Sequence, residues 1–122
     1  MKSKGGLRRI FSAARYSYLG MKAAWKHEAA FRQEIGAGVV LLLIAPWLAP
    51  SLLYGVLMCA SILLVWCVEM INSAIEALAD AISADHHPLL GRAKDMGSAA
   101  VFFSLLMAAV VWIAAFIEWL GL

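Results

Sequence analysis

The chain carries several acids on an otherwise apolar segment, VEMINSAIEALAD at residues 68–80. At about 100° per residue, its polar side chains share one helical face of roughly 100°. These side chains are Glu69, Asn72, Ser73, Glu76 and Asp80. A carboxylate at mid-membrane costs on the order of 2.5–3.5 kcal/mol on insertion scales. A stacked acidic face therefore predicts a partner, which is a metal ion, a cationic side chain or a polar substrate.

Two further acids, Glu28 and Glu34, flank the start of another apolar stretch in AAWKHEAAFRQE at residues 23–34. We expect Glu28 to approach Glu76 if the preceding helix docks near the end of the acidic face. Two carboxylates at a membrane–water boundary suit Mg²⁺, which completes its shell with water and phosphate.

The segment GRAKDMGS at residues 91–98 offers a cation, Lys94, that suits phosphate as a point charge. An ordinary charge pair with Asp95 is the alternative interpretation. The segment lacks the G-x-x-x-x-G-K-[ST] spacing, which excludes a P-loop. The adjacent His86 and His87 have no zinc-ligand spacing around them, which argues against a zinc site.

The composition indicates a membrane protein, since 64% of the 122 residues are hydrophobic and only 15% are charged. Cys59 and Cys67 are eight positions apart, about 12 Å along a helix, too far for a disulfide. The basic N-terminus is not followed directly by a short apolar core with a cleavage site, so no cleavable signal peptide is expected.

The apolar stretches at 35–48, 52–68 and 97–117 predict three membrane helices. Ahead of them, residues 7–29 predict a helix with one apolar face and a separate basic stripe, a pattern typical of a helix at the membrane surface. Tyr18 and Trp25 are its expected interfacial anchors. We therefore predict an all-α membrane protein with one domain over 1–122. Its surface helix covers about 7–29, and its membrane helices cover about 31–49, 52–82 and 95–120.

The charge distribution predicts the orientation in the membrane. Eight of the ten Lys and Arg residues lie between Lys2 and Arg32, and the other two are Arg92 and Lys94. The positive-inside rule then places the N-terminus and the 81–96 loop in the cytoplasm. No nucleic-acid partner is expected.

Three segments together give the chain a family resemblance: AAWKHEAAFRQE at 23–34, VEMINSAIEALAD at 68–80 and GRAKDMGSAAV at 91–101. In these the chain resembles the small integral-membrane diacylglycerol/undecaprenol kinases of bacteria, over about residues 9–112. The resemblance implies a homotrimer in the bacterial inner membrane, with active sites shared between neighbouring chains. It also implies transfer of the γ-phosphoryl group of MgATP to diacylglycerol, giving phosphatidic acid.

The resemblance assigns roles by position. Glu69 is implied to be the general base, and Glu28 and Glu76 the ligands of Mg²⁺. The implied ATP-binding residues are Arg9, Tyr16, Glu28, Asn72, Glu76, Asp85, His86, His87, Lys94 and Asp95. The implied lipid-binding residues are Arg9, Ser17, Ala30, Phe31, Arg32, Gln33, Glu34, Trp47, Glu69, Ser98 and Trp112. Asp85-His86 stands where the family pattern has Glu-Tyr ahead of His87.

Other functions compete with a diacylglycerol kinase. An undecaprenol kinase of the same family is the near variant. A small proton-coupled transporter would also need a membrane glutamate such as Glu69. A structural subunit would use the polar face only to pair helices. The first and third spans lack a base that could neutralise such a face.

Overall fold

The computed structural model describes residues 5–83, 85 and 87–122. In these residues the chain is all-helical, with α1 at Gly6–His27, α2 at Ala29–Leu48, α3 at Leu52–Ile82 and α4 at Pro88–Trp119. Three of them, α2, α3 and α4, are long and apolar enough to cross a membrane. The predicted all-α fold with three apolar spans is confirmed.

The junction between α1 and α2 is a single extended residue, Glu28, with φ −119° and ψ 105°. Its backbone N–H still bonds to the carbonyl of Ala24 at 2.9 Å, and its own carbonyl accepts from Arg32 at 3.2 Å. The Arg32 guanidinium donates to the carbonyl of Trp25 at 2.7 Å, satisfying one of the free carbonyls that end α1. Arg32 thus ties the two helices together across the break.

The α2–α3 turn has clear local causes. Pro46 lacks a backbone N–H, and α2 ends two residues after it. Ser51 then caps α3, its hydroxyl accepting from the N–H of Tyr54 at 3.3 Å.

The α3–α4 connection is shorter than the sequence predicts. Helix α4 begins at Pro88, seven residues before the predicted 95, so Lys94 and Arg92 lie in a helix and not in a loop. Pro88 is preset for the first helical position, and the Nδ1 of His87 accepts from the N–H of Leu89 at 3.1 Å. Residues 83–87 alone remain as the connection.

The helices α2, α3 and α4 form a bundle in which α3 lies centrally. At the α2–α3 turn, a small core joins Ala45, Met58 and Ala115, one residue from each helix. Trp112 donates its indole N–H to Ser61 at 3.0 Å, which adds a polar contact between α4 and α3. At 31 and 32 residues, α3 and α4 measure about 46–48 Å, longer than the roughly 30 Å of hydrocarbon in a bilayer. The end of the bundle that carries Glu28, Asp80 and Lys94, called the polar end below, can therefore extend beyond it.

Candidate functional site

The acidic face of α3 is the face that packs into the bundle. Glu69, Asn72 and Ser73 are 5%, 7% and 7% exposed, although they lie on a helix whose other faces are apolar. Glu76 is partly buried, and Asp80 at the polar end is exposed. The polar side chains thus lead from a buried acid to an exposed one over about three turns.

Three other carboxylates come together around Glu69. Its side chain lies within electrostatic reach of Glu34 on α2, of Glu76 about two turns further along the same face of α3, and of Glu28 at the α1–α2 break. Three separate parts of the chain therefore contribute negative charge to one region. Such a region favours a cationic ligand, because unneutralised acids repel one another.

Asn72 links this region to the start of α4. Its Nδ2 donates to Oε1 of Glu76 at 3.2 Å, while its buried Oδ1 has no hydrogen-bond partner in the described part of the chain. Gly97 of α4 lies directly against that oxygen, and a Cβ at this position would overlap it. The absence of a side chain at Gly97 is what lets the Asn72 amide lie between the two helices.

Lys94 lies on α4 beside the acidic face. Its ammonium contacts Oδ1 of Asp80 at 2.6 Å and lies within electrostatic reach of Glu76. Both members of the pair are substantially exposed, the Lys94 side chain at 41% and the Asp80 side chain at 64%. The predicted phosphate-binding lysine therefore lies at the outer edge of the carboxylate region, paired with the acid for which no role was assigned.

Glu28 faces α3 where α1 crosses it. A groove of about 390 Å³ runs between these helices and is lined by Glu28 and His27 on one side and by Met70, Ser73 and Ala77 on the other. Glu28 thus lies along the stretch of α3 that carries Ser73 and Ala77, while its predicted approach to Glu76 stays a prediction.

A second groove, of about 310 Å³, lies between α2, α3 and α4. Gln33 and Glu34 form one end of this groove. The rest of its wall is apolar, with Leu41, Ile62 and Leu105. Ala30 also lines it, whereas Phe31 is buried. A groove with a carboxylate at one end and hydrocarbon along its length suits a lipid that carries a polar group.

Several other predicted site residues lie away from these carboxylates within the single chain. Those on α1 are exposed, namely Arg9, Tyr16 and Ser17. Asp95 and Ser98 are exposed on α4, and Trp47 is 77% exposed near the α2–α3 turn. Trp112 lies in the opposite half of the bundle, bonded to Ser61.

The predicted nucleotide contacts of the α3–α4 connection have local roles in the chain. The backbone of Asp85 exchanges hydrogen bonds with the Ser83 hydroxyl, at 3.2 and 3.3 Å. The ring of His87 caps α4. His86 lies outside the described residues.

The carboxylates do not form a complete metal cage by themselves. Across 5–83, 85 and 87–122, no group of three or more His, Cys, Asp and Glu side chains is arranged to hold a metal ion. Mg²⁺ that arrives with phosphates needs only one or two protein carboxylates, and the partly buried Glu76 and Glu28 offer oxygen ligands of that kind. These residues fit a metal delivered with a nucleotide.

Three residues near the site were missed by sequence reasoning: Gly97, Gly38 and Trp66. The indole N–H of Trp66 donates to the backbone carbonyl of Glu34 at 3.0 Å, and its ring covers Gly38. A tryptophan in the middle of a span, away from the interface where this residue is enriched, was the available signal. Glycines within membrane helices likewise mark close packing.

The chain is similar to known proteins over most of its length. A family model described as "Prokaryotic diacylglycerol kinase" matches residues 15–116. A protein of Escherichia coli (strain K12) named "Diacylglycerol kinase" is 50% identical over 107 residues, covering 88% of each chain. Proteins of the same name from Pseudomonas aeruginosa and Haemophilus influenzae are 48% and 40% identical, covering 91% and 88% of this chain and 90% and 91% of their own.

Proposed function

The chain belongs to the prokaryotic diacylglycerol kinase family and is a lipid kinase, and on that premise we propose that it phosphorylates sn-1,2-diacylglycerol. The oxygen of the lipid hydroxyl bonds to the γ-phosphorus of ATP as the bond from that phosphorus to the β–γ bridging oxygen breaks. The hydroxyl proton passes to the protein. The products are phosphatidic acid and ADP.

The observation that carries this proposal is the burial of Glu69 beside three other carboxylates. A kinase that acts on a membrane lipid needs a base below the headgroup level and a cation site above it. Glu69 lies seven residues, about 10 Å, deeper along α3 than Glu76. The acidic face therefore spans the distance between a lipid hydroxyl and the aqueous phase.

Glu69 is the proposed general base. Its carboxylate accepts the hydroxyl proton as the new oxygen–phosphorus bond forms. The apolar groove that begins at Glu34 and Gln33 supports binding of the lipid nearby, with Ala30 in its wall. Phe31 and Arg32 belong to the same turn of α2, the first buried and the second bonded to the end of α1.

The nucleotide is proposed to bind at the polar end. Glu76 and Glu28 would hold Mg²⁺, which neutralises phosphate charge when bound. Lys94 is the cation that can meet the phosphates, because it lies at the polar end within electrostatic reach of Glu76. Phosphoryl transfer depends mainly on such positioning and neutralisation.

The remaining predicted residues support a shared site. Arg9, Tyr16 and Ser17 lie on an exposed helix, and Asp95 and Ser98 on an exposed part of α4. Large apolar side chains are exposed on all three spans, for example Leu43, Leu63 and Phe103. We therefore include a homotrimer in the proposal, located in the bacterial inner membrane with the polar end in the cytoplasm.

The experiment uses purified protein in lipid vesicles with labelled ATP, Mg²⁺ and either diacylglycerol or undecaprenol. We expect labelled phosphatidic acid, with Glu69→Gln reducing its formation by a factor of about 10² or more. Glu118→Gln, an exposed carboxylate at the opposite end of α4, is the matched control and should keep full activity.

Two results would contradict the proposal. Normal lipid phosphorylation by Glu69→Gln would remove Glu69 from the role of base. Preferential labelling of undecaprenol would show that the chain is an undecaprenol kinase and not a diacylglycerol kinase.

A further inference from the structure

Trp66 of α3 makes a hydrogen bond to α2 that fixes the position of α2 along the axis of α3. Its indole Nε1 donates to the backbone carbonyl of Glu34 at 3.0 Å, across 32 residues of sequence. In an α-helix the carbonyl of residue 34 points along the axis towards residue 38. An indole seated at residue 38 is therefore the natural second donor to that carbonyl.

Gly38 has no side chain, and the space that this leaves, called the Gly38 notch below, is occupied by the Trp66 indole. A Cβ built at Gly38 would lie 2.6–2.8 Å from three atoms of the Trp66 ring, closer than real Cβ contacts. Gly36, two positions earlier on the same helix, has nothing within 4 Å of its own Cβ position. The notch at Gly38 is thus specific to the indole and is not a general property of the glycines in α2.

The contact lies next to the carboxylates. Trp66 precedes Glu69 by three residues, less than one turn of α3, and Glu34 is the acid on α2 within reach of Glu69. Trp66, Gly38 and Glu34 also line the same apolar groove. A shift of α2 along its axis would change both the separation of the two acids and the shape of the groove.

We propose that Trp66 is a positioning residue, which holds the Glu34 carboxylate beside Glu69 by seating its indole in the Gly38 notch and so determines how well the lipid substrate binds. This inference rests on the proposed function. It depends on Trp66 and Gly38, which have no ionisable group and were not among the predicted site residues. Its effect should fall on the lipid, because Lys94 and Glu28 lie at the polar end, away from Trp66.

The first test is Trp66→Phe, which keeps a ring in the notch and removes only the donor. A hydrogen bond of this kind corresponds to a change of about two- to tenfold, and we expect a rise of that size in the KM for diacylglycerol. The KM for ATP should be unchanged. Trp119→Phe is the matched control, since it makes the same substitution at an exposed tryptophan that stacks on Phe116 at the far end of α4, and it should leave the lipid KM unchanged.

The second test compares two glycines of α2. Gly38→Ala should raise the lipid KM at least as much as Trp66→Phe, because the new methyl group displaces the indole. Gly36→Ala adds the same methyl group in open space and should have no effect. An unchanged lipid KM in both Trp66→Phe and Gly38→Ala, or an equal rise in their controls, would overturn the proposal.

A distance measurement separates this inference from the proposed function. Spin labels are attached at Ile35→Cys and Met70→Cys, with Cys59 and Cys67 replaced by alanine and the sample diluted with unlabelled protein. The distance between the two labels reports the position of α2 along the axis of α3. We expect Trp66→Phe, and not Trp119→Phe, to broaden the distance distribution. No lipid phosphorylation by the wild-type chain would reject the proposed function, and an unchanged distribution would independently reject the role of Trp66.

Discussion

The ammonium of Lys94 and the carboxylate of Asp80 are joined at 2.6 Å, so the lysine expected to meet phosphate is paired with an acid. Fourteen residues separate them in sequence, and the pair bridges α3 and α4. A phosphate group approaching Lys94 must therefore compete with Asp80. This competition predicts the effect of removing the acid.

Asp80→Asn is expected to lower the KM for ATP by about two- to fivefold, the range typical of an exposed ion pair. Thermal stability should change little, because both side chains are largely exposed. Steady-state kinetics at low and at physiological salt measure the effect, which should shrink as salt screens the charges.

Glu118→Asn removes an exposed acid far from Lys94 and serves as the control. A higher ATP KM in Asp80→Asn would contradict the prediction and would make Asp80 an orienting partner for Lys94.

Gly97→Ala is expected to disable the enzyme and to destabilise it. The added Cβ overlaps the Oδ1 of Asn72, so either the amide or α4 must move. Overpacking of this kind costs about 1–3 kcal/mol in unfolding free energy, and loss of the Asn72–Glu76 hydrogen bond should lower kcat. Melting in detergent and lipid kinase assays measure the two effects.

A double-mutant cycle checks the cause. In an Asn72→Ala background the steric conflict is gone, so Gly97→Ala should cost much less stability than in the wild type. Gly36→Ala is the control for the change in helix propensity. Additive costs of the two substitutions would show that Asn72 is not the group that Gly97 accommodates.

The periodicity of α3 predicted the acidic face well, because five polar residues repeated at helical spacing on an apolar helix. The three spans followed equally from composition. The start of α4 was placed seven residues late, because the charges of Arg92 and Lys94 suggested a loop. His87-Pro88 was the stronger local signal, as a capping side chain followed by a preset φ.

Contacts between helices could not be predicted in the same way. The pairing of Lys94 with Asp80, the notch at Gly97 and the bond from Trp66 to Glu34 depend on how far one helix is displaced along another. Helical periodicity gives the face of a residue but not this displacement, which small residues and hydrogen bonds at the interface determine.

Arg32→Met is expected to raise the Mg²⁺ concentration needed for half-maximal activity. The Arg32 guanidinium holds the carbonyls of Trp25 and Lys26, at 2.7 and 3.4 Å, and so fixes the break at which Glu28 lies. Without it, α1 can swing and the Glu28 carboxylate loses its position. Magnesium titrations of the kinase activity measure the shift.

Arg32→Lys should fall between Arg32→Met and the wild type, because an ammonium can reach one carbonyl but lacks the planar fork of arginine. Arg8→Met removes an exposed cation near the other end of α1, about 30 Å away, and should leave the magnesium dependence unchanged. An unaltered magnesium curve for Arg32→Met would disconnect Arg32 from the position of Glu28.

Glu69→Gln is expected to raise thermal stability by a few degrees while it reduces lipid phosphorylation by a factor of about 10² or more. Glu69 is buried among Glu34, Glu76 and Glu28, and an amide of the same shape removes the repulsion without leaving a cavity. A group kept for catalysis commonly costs the fold some stability. A residue kept to pair helices would show the opposite, since its replacement would lower the melting temperature. Thermal unfolding in the same detergent, with Glu118→Gln beside it, distinguishes the two roles: a lower melting temperature with activity retained would identify the acidic face as structural.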